Sequence, residues 1–569
     1  MKRKLKAIAA VLLVLVMLGS AMPMQLAAEA MTPPATRYAT PDGYNDHDYQ
    51  KMVAFFEQTD ENGVRNGEKL SENYDPTDPG TWWKYDDGYC RGDITWTTVA
   101  GEYRLCDIFF GGIGNDALPL ELVGFLDVSG CTALTEVRCW SSGDIQLTGL
   151  DVSECVALAE LYCAGNELTE LDVSGCVALE VLHCSHNEIM ELDVSTKAEL
   201  YKLDCSDNQL TELDVSMNEA LEDLTCSGNQ LTELDVSANA GLRTLSCFDN
   251  QLTELDISAN AELEELGCSG NQLTELDVSA NTGLRGLWCS GNQLTELDIG
   301  ANTGLRTLDC SDNRLTNLDV SANTELVRLD CSWNQLTELD VSANAALEEL
   351  DCSDNQLTEL DVSANTGLSY LYCSDNQLTE LDVSTNAELY ELDCSGNQLT
   401  ELDVSVNTEL GSLDCSGNQL TELDLSNNPQ IDIDTISAEG SGFIGVGTEW
   451  DENYDKWYCI KAVPVPGNSF CGWYAVDGTL LSTNVEINRN DFDGVNDFVA
   501  KFTASTPGGV GDVDGDGAVR VSDAVLIMRY ALGLIEFTPE QILCGDVDGD
   551  GFVKVADAVM VIRIALGLA

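Results

Sequence analysis

Hydrophobic and polar positions recur along this chain with a period of 21 residues. One cysteine holds the same place in each unit, from Cys163, Cys184, Cys205 and Cys226 onward to Cys415, thirteen in all. A Leu-Asp-Val-Ser element, with Ile or Leu sometimes replacing Val, keeps the same phase from Leu171 to Leu423. The unit Leu305–Glu325 reads LRTLDCSDNRLTNLDVSANTE, and most others carry QLTEL where this one has RLTNL. Each unit holds two copies of L-x-x-L-x-(C/V)-x-x-N. That predicts two short extended segments per unit, with Leu, Leu, Cys or Val, and Asn turned inward and the intervening residues turned outward. A single unit cannot bury such a stripe alone, so neighbours must stack into a solenoid. At about 4.8 Å per coil, the thirteen regular coils span roughly 60 Å. Leu126-Asp127-Val128-Ser129 and Leu150-Asp151-Val152-Ser153 mark less regular coils before them.

Over residues 116–430 the pattern resembles the bacterial leucine-rich repeats of the nested 21-residue class, and a solenoid domain of residues 116–435 is expected. Its cysteines then form an inward column, where a small apolar side chain is wanted and a free thiol packs well. Adjacent coils bring these Cα atoms within disulfide range, yet an odd-membered ladder with one Cys per coil points to buried thiols. Asn166, Asn187 and their successors through Asn418 should hydrogen-bond the turn backbone, as buried amides must. Cys131, Cys155 and Cys176 stand where the other half of the unit carries Asn. Glu212, Glu233 and their successors stack into one carboxylate column, and Asp214 and Asp235 begin another. Two charges at ~4.8 Å repel by about 1 kcal/mol in water, so these columns either gather divalent cations or form a salt-screened, solubilising face.

An open solenoid end exposes its core, so residues 31–115 read as an N-terminal cap. Asp48–Gln58 patterns as a short amphipathic helix, followed by Trp82, Trp83, Cys90, Trp96 and Cys106 in an irregular stretch where Cys90 and Cys106 are candidates for a bridge. After Asn428 the repeat stops. Residues 438–503 contain AVPVPGNSFCGWYAVDGTLLSTN and a closing FVAKFTA, which resemble the small β modules similar to internalin B-repeats. Short strands are expected at Val485–Ile487 and Phe498–Phe502, and Cys459 with Cys471 is a candidate single bridge. Residues 504–510 read as a linker.

Two further segments match each other: GDVDGDGAVRVSDAVLIMRYALG from Gly511 and GDVDGDGFVKVADAVMVIRIALG from Gly545. Carboxylates at loop positions 1, 3, 5 and 12, a carbonyl at 7 and Gly at 6 for the sharp turn form a Ca²⁺ donor set. Asp512, Asp514, Asp516, Asp523 and the Ala518 carbonyl would serve one ion; Asp546, Asp548, Asp550, Asp557 and the Phe552 carbonyl would serve a second. Each loop leads into one helix and lacks a full helix before it. The tandem in residues 511–569 resembles a dockerin, the module that docks onto cohesin domains of cellulosome scaffolds. The resemblance implies cohesin contacts at Val521, Ser522, Met528 and Arg529 in the first segment and at Val555, Ala556, Ile562 and Arg563 in the second. Position 9 holds Arg520 or Lys554, which cannot ligate Ca²⁺, and the recognition pairs are largely apolar.

Composition narrows the function. The 27 Lys+Arg face 98 Asp+Glu, a formal net charge of −71, and no basic run follows the first six residues. Such a surface repels a phosphate backbone, which excludes a nucleic-acid binder. Lys2, Arg3, Lys4 and Lys6 precede the apolar run Ala7–Met17, and Ala28-Glu29-Ala30 offers a small-x-small cleavage site, so residues 1–30 read as a secretory signal peptide. An exported, monomeric chain without membrane insertion is expected, released or held at the cell surface through a scaffold, from an anaerobic Gram-positive bacterium. Outward slots vary between coils and hold Tyr162, His183, His186, Trp288, Trp333, Tyr370 and Tyr372, either as a ligand-reading face for a protein or glycan would or through neutral drift on a solvated face. His47, His183 and His186 are the three histidines, and no G-x-S-x-G, H-E-x-x-H or phosphate-loop motif is present. The sequence thus describes a multidomain, mostly β leucine-rich repeat solenoid with a small all-β module and a small all-α calcium-binding dockerin, acting as a non-catalytic binding protein. A polysaccharide-degrading enzyme or a protease inhibitor accessory to such a complex is the alternative.

Overall fold

The structure, a computed structural model, describes residues 38–565 apart from 83–84, 87–88, 91, 111–121, 141–144, 432, 434, 451–455, 466–467, 477, 489–491, 493–494, 505–512, 514–518, 536, 538–540, 542–546 and 548–552. The leader at residues 1–30 lies outside the described residues. Contacts divide the chain into two compact units, residues up to 200 with 207–209, and residues 201–206 with those from 210 onward.

In the first unit, helix α1 spans Asp46–Phe56 and opens two residues before the predicted start. Asn45 sets that start, because its side chain accepts the Asp48 N–H and caps the helix. The helix buries Tyr49, Met52, Val53, Phe55 and Phe56, and a one-turn helix α2 follows at Asn66–Leu70. Strands Gly92–Val99 and Glu102–Phe110 form a hairpin whose two turn residues, Ala100 and Gly101, have φ of 53° and 91°, as a tight turn between twisted strands requires. Glu102–Phe110 then pairs in parallel with the coil strand Glu136–Arg138, and Glu160–Tyr162 and Val181–His183 follow in register. The hairpin thus gives the first coil a hydrogen-bonded neighbour. Buried Asp48 locks helix to hairpin: it accepts the Arg104 guanidinium at 2.6 and 3.1 Å and the Leu105 N–H at 3.0 Å.

The second unit opens with eleven three-residue parallel strands, from Lys202–Asp204 to Ser412–Asp414, each residue paired with its counterpart in the next repeat. The repeated Leu, Cys and Val positions are buried in every coil. The two extended segments expected per coil are not both strands. In the QLTELDVS half, one backbone bond per coil joins neighbours, as from Gln230 N–H to the Leu210 carbonyl at 2.8 Å. The adjoining Leu231 N–H goes instead to the Asn250 amide oxygen at 3.0 Å, and the Ser237 N–H to the Asp235 carboxylate at 2.9 Å. Side chains take the donors that a strand ladder would use.

The cysteine column is a column of thiols, with Cys205 through Cys415 at 0% exposure in this unit. Burial pushes the Cys247 and Cys415 thiols up to about 12, so they stay protonated and unreactive. Maleimide should therefore label half-buried Cys471 in the native chain and reach Cys289 only after denaturation. Labelling of Cys289 at the rate of Cys471, read by peptide mass spectrometry, would contradict that packing. Cys459 and Cys471 also carry thiols rather than the candidate bridge. Cys459 lies on Lys456–Pro464 in a three-stranded sheet, while Cys471 lies on Asn468–Tyr474 in a five-stranded one, with its sulfur 3.3 Å from Thr503 Oγ1. Cys106 is a thiol as well, and the Cys90 side chain is outside the described residues.

Strand Gly442–Trp450 covers the last coil, with the Cys415 N–H bonded to the Val446 carbonyl at 2.8 Å and the Ile444 N–H to the Leu420 carbonyl at 2.9 Å. Gly445 permits this approach, since a Cβ there would lie 2.6 Å from Ser416 Cα. Tyr458 adds a bond from its hydroxyl to the Gly411 carbonyl at 2.7 Å. The small β module seals the apolar end of the solenoid. Near the C-terminus, helices α3 (Val521–Ala531) and α4 (Val555–Ala565) pack around Val513, Ala524, Ile527, Val553, Ala558 and Val561.

Candidate functional site

Outward slots on the coil strands bring the predicted aromatics to the surface within each unit. In the first, Tyr162 and His183 stack with centroids 4.9 Å apart at 14°, and the Arg138 guanidinium lies 4.8 Å from the Tyr162 centroid. His186 Nδ1 lies 3.4 Å from an Asp207 carboxylate oxygen, and both side chains are largely exposed. In the second unit, strands Glu349–Asp351, Tyr370–Tyr372 and Glu391–Asp393 run side by side. Their register places Tyr370 between Glu349 and Glu391, and Tyr372 between Asp351 and Asp393. Trp288 is half-buried on its own strand, next to Asp309.

The slot preceding the recurrent Asn has a geometry that the sequence hides. It is left-handed: φ is 50° at Asp249, 52° at Asp354 and 65° at Gly396. Gly and Asp tolerate that region, which explains most of the variation there without any ligand. His186 at 52° is also of a type enriched there, so Trp333 at 53° is the exception, and it exposes 63% of its surface. There a bulky ring is held in a disfavoured backbone region and turned to solvent.

Carboxylates on the same face feel one another. Burial, opposed by hydrogen bonds from Ser353 and reinforced by Asp330 and Asp393, pushes Asp351 up to about 6. Burial raises Asp330 and Asp414 too. Between an unfolded value near 3.8 and a folded value near 6 the native chain holds the extra proton, so stability is greatest at acid pH and falls as pH rises through about 6. Asp351→Asn, which keeps the oxygen that accepts the Ser353 N–H, should stabilise this unit by about 1 kcal/mol at pH 7 and by nothing near pH 3, read as urea midpoints. The carboxylates of the other half behave oppositely. Side-chain and backbone bonds from the following serine hold Asp235, Asp277 and Asp361 below the usual carboxylate range. That column secures turns.

Two asparagine columns tie coil to coil. Asn292 accepts the Leu273 N–H at 2.9 Å and donates to the Cys268 and Cys289 carbonyls at 3.0 and 3.1 Å. In the second column Asn281 donates to the Ile257 and Asn260 carbonyls at 3.0 and 2.8 Å. Where cysteine stands in that column, its thiol takes over the bond, as from Cys176 Sγ to the Val152 carbonyl at 3.4 Å. Lys197 occupies the same slot, a placement that sequence reasoning missed. It is fully buried, with its amine 2.6 Å from Thr196 Oγ1 and 3.2 Å from the Ser174 carbonyl, and burial lowers its pKa. Its place one repeat before Asn218 is the signal that could have found it.

The C-terminal helices begin at matching carboxylates. Asp523 is fully buried and accepts the Val513 N–H at 2.9 Å and the Arg520 N–H at 2.7 Å. Asp557 repeats this with Val547 at 2.8 Å and Lys554 at 2.7 Å. These two residues hold loop to helix at position 12 of each loop, and their hard oxygen donors fit Ca²⁺. Asp512, Asp514, Asp516, Ala518, Asp546, Asp548, Asp550 and Phe552 lie outside the described residues. Val521, Ser522 and Arg529 are exposed on α3, and Val555 and Arg563 on α4; Met528 and Ile562 are half-buried against the core, and the Ala556 side chain is not described. Val525 and Val559, each 50% exposed, extend the apolar faces and hold equivalent places in the two matching segments, a pairing that the duplication already contains.

Among the described residues His47, Asp48 and Cys131 come within metal-binding distance of one another, but the Arg104 guanidinium already neutralises Asp48. Among them, too, no helix is long and apolar enough to cross a membrane.

Stacked parallel coils, a buried cysteine column and asparagine ladders define a leucine-rich repeat solenoid. Residues 345–386 match the leucine-rich repeat family model (two copies), and residues 510–565 match the dockerin type I domain. The functional domain of InlJ from Listeria monocytogenes, which includes a cysteine ladder, is 30% identical with a TM-score of 0.50, over 62% of this chain and 86% of that one. YopM, a leucine-rich effector protein from Yersinia pestis, is 26% identical with a TM-score of 0.44, over 52% of this chain and 84% of that one. The internalin InlF from Listeria monocytogenes is 22% identical with a TM-score of 0.45, over 47% and 83%. No curated protein matches the chain. The chain belongs to the leucine-rich repeat proteins of the internalin type and carries a dockerin type I domain, both of them protein-interaction modules.

Proposed function

We propose that this protein is an exported, non-catalytic binding subunit of a cellulosome-like complex. Its dockerin, holding two Ca²⁺ ions, docks onto a cohesin of the scaffold, and its solenoid presents a recognition face to a second partner. The observation that carries this reading is the joining, in one chain, of a repeat solenoid with outward aromatics at Trp333, Tyr370 and Tyr372 and a type I dockerin domain. Asp523 and Asp557 anchor the two calcium loops, and the remaining loop aspartates supply the other oxygens. Exposed Val521 and Val555 lie at the starts of the two helices, where the dockerin resemblance puts cohesin contacts.

The test is capture of the full chain on immobilised scaffold cohesins, type I and others, with Ca²⁺ and with chelator. Retention on at least one cohesin, lost on chelation and weakened at least tenfold by replacing Val521 and Val555 with Asp, is the expected result, since charge in an apolar contact is strongly unfavourable. Binding to none of them, or turnover of a plant polysaccharide by the purified chain, would overturn it.

A further inference from the structure

We infer that the second unit's strand face is a receptor for a cationic polypeptide segment, whose Lys or Arg side chains seat on Tyr370 and Tyr372 between flanking carboxylates. This rests on the proposed recognition face and names the chemistry of its partner.

Three neighbouring strands read E-L-D, Y-L-Y and E-L-D, and their register surrounds two aromatic rings with four carboxylates. Parallel strands lie about 4.8 Å apart, so all four acids fall within roughly 10 Å. A ring face attracts a cation through its quadrupole, and a carboxylate beside it adds charge-assisted hydrogen bonds. Tyr370 is 38% exposed, and so is open to a visitor. Exposed Trp333 stands between Asp312 and Asp354 in the same slot of neighbouring coils, which repeats the theme on the adjoining turn.

Charge along the unit agrees. Arg243, Arg285, Arg306, Arg314 and Arg328 all precede this triplet, and no Lys or Arg occurs from Leu329 to Asp455. Arg328 also shows what the face accepts: its Nε reaches across one coil to Glu349 at 3.4 Å. The chain's own guanidinium already lies at the border of the patch, and beyond it the repeats supply no other. A neutral glycan would use the rings but gain nothing from four surrounding anions, and an acidic glycan would be repelled.

The experiment titrates the full chain, with Ca²⁺ present, with a fluorescent nona-arginine peptide, a nona-lysine peptide, a nona-glutamate peptide and cellohexaose at physiological salt. Because a chain of −71 attracts any polycation, site-specific variants decide. Tyr370→Ala with Tyr372→Ala, and separately Glu391→Gln with Asp393→Asn, should each weaken binding of at least one cationic peptide about tenfold. Glu212→Gln with Glu233→Gln removes the same charge from the other half of the coils and should change affinity less than about twofold. Equal losses in all three variants would reduce the effect to general polyanion attraction and overturn the inference. Tyrosine-dependent binding of cellohexaose with variant-insensitive peptide binding would also overturn it, while leaving a recognition face. Absence of any cationic-peptide binding to the wild type would overturn it too, and cohesin capture, measured separately, would still report on the docking role.

Discussion

Asn292→Asp is expected to destabilise the second unit by about 3–5 kcal/mol at neutral pH. The native amide accepts the Leu273 N–H and donates to the Cys268, Cys289 and Ser290 carbonyls, all in a site 8% exposed. Aspartate keeps the acceptor but aims an anionic oxygen at three carbonyls, so a buried charge is left facing like partial charges. Asn292→Ala removes the charge problem and should cost less, about 2–4 kcal/mol, mainly through the orphaned Leu273 N–H. The ordering is the signature, and it should reverse as pH falls and the new carboxyl gains a proton to donate. Urea unfolding and amide exchange at coils on either side measure it. Solenoid coils touch only neighbours, so protection should fall first around residues 268–294 and spread outward. An Asp variant no less stable than the Ala variant at pH 7 would mean that the amide nitrogen is not a required donor.

The same ladder shows how much was legible in the sequence. A strict 21-residue period with Leu, Cys and Asn in fixed phase can only be satisfied by stacked coils, so the inward column of cysteines and the amide column followed directly. What the pattern did not disclose was the division of labour between halves. Both halves share the same apolar spacing, but across the coils from Lys202 to Asp414 only one becomes strand, because side-chain amides and carboxylates take the backbone donors of the other. Spacing reports which residues face inward and is silent about which hydrogen bonds they make. The left-handed slot was hidden for a related reason. Gly, Asp, His and Trp there look like free surface variation, and only the dihedral separates Asp354, which tolerates the position, from Trp333, which does not favour it. At the dockerin, the duplicated loop-and-helix segment suggested two donor sets, whereas the capping geometry of Asp523 and Asp557 needed coordinates. The candidate bridge between Cys459 and Cys471 failed because proximity in sequence says nothing about which sheet each strand joins.

Chelation should unfold the C-terminal helical module while the solenoid stays intact. Its core is small: Val513, Ala524, Ile527, Val553, Ala558 and Val561, with partly buried neighbours such as Tyr530 and Phe537 stacked 4.4 Å apart. A module of this size rarely holds more than about 3–5 kcal/mol from apolar burial alone. Each loop sequence carries four aspartates within twelve residues, with Asp523 and Asp557 fully buried, and without calcium their repulsion would erode that margin. Each ion at about a thousand times its dissociation constant would contribute about 4 kcal/mol, so ions at the two proposed loops would account for most of the module's stability. In the full chain, EGTA should abolish amide protection in α3 and α4 and leave protection at Leu287 and Leu308 in the solenoid unchanged. Asp557→Ala should reproduce the loss in α4 at micromolar Ca²⁺, with recovery at millimolar Ca²⁺ limited by the missing ligand and the missing cap to Lys554 and Val547. Undiminished protection of both helices in EGTA would show that apolar packing alone holds them. In that case the paired loops would serve docking without serving the fold.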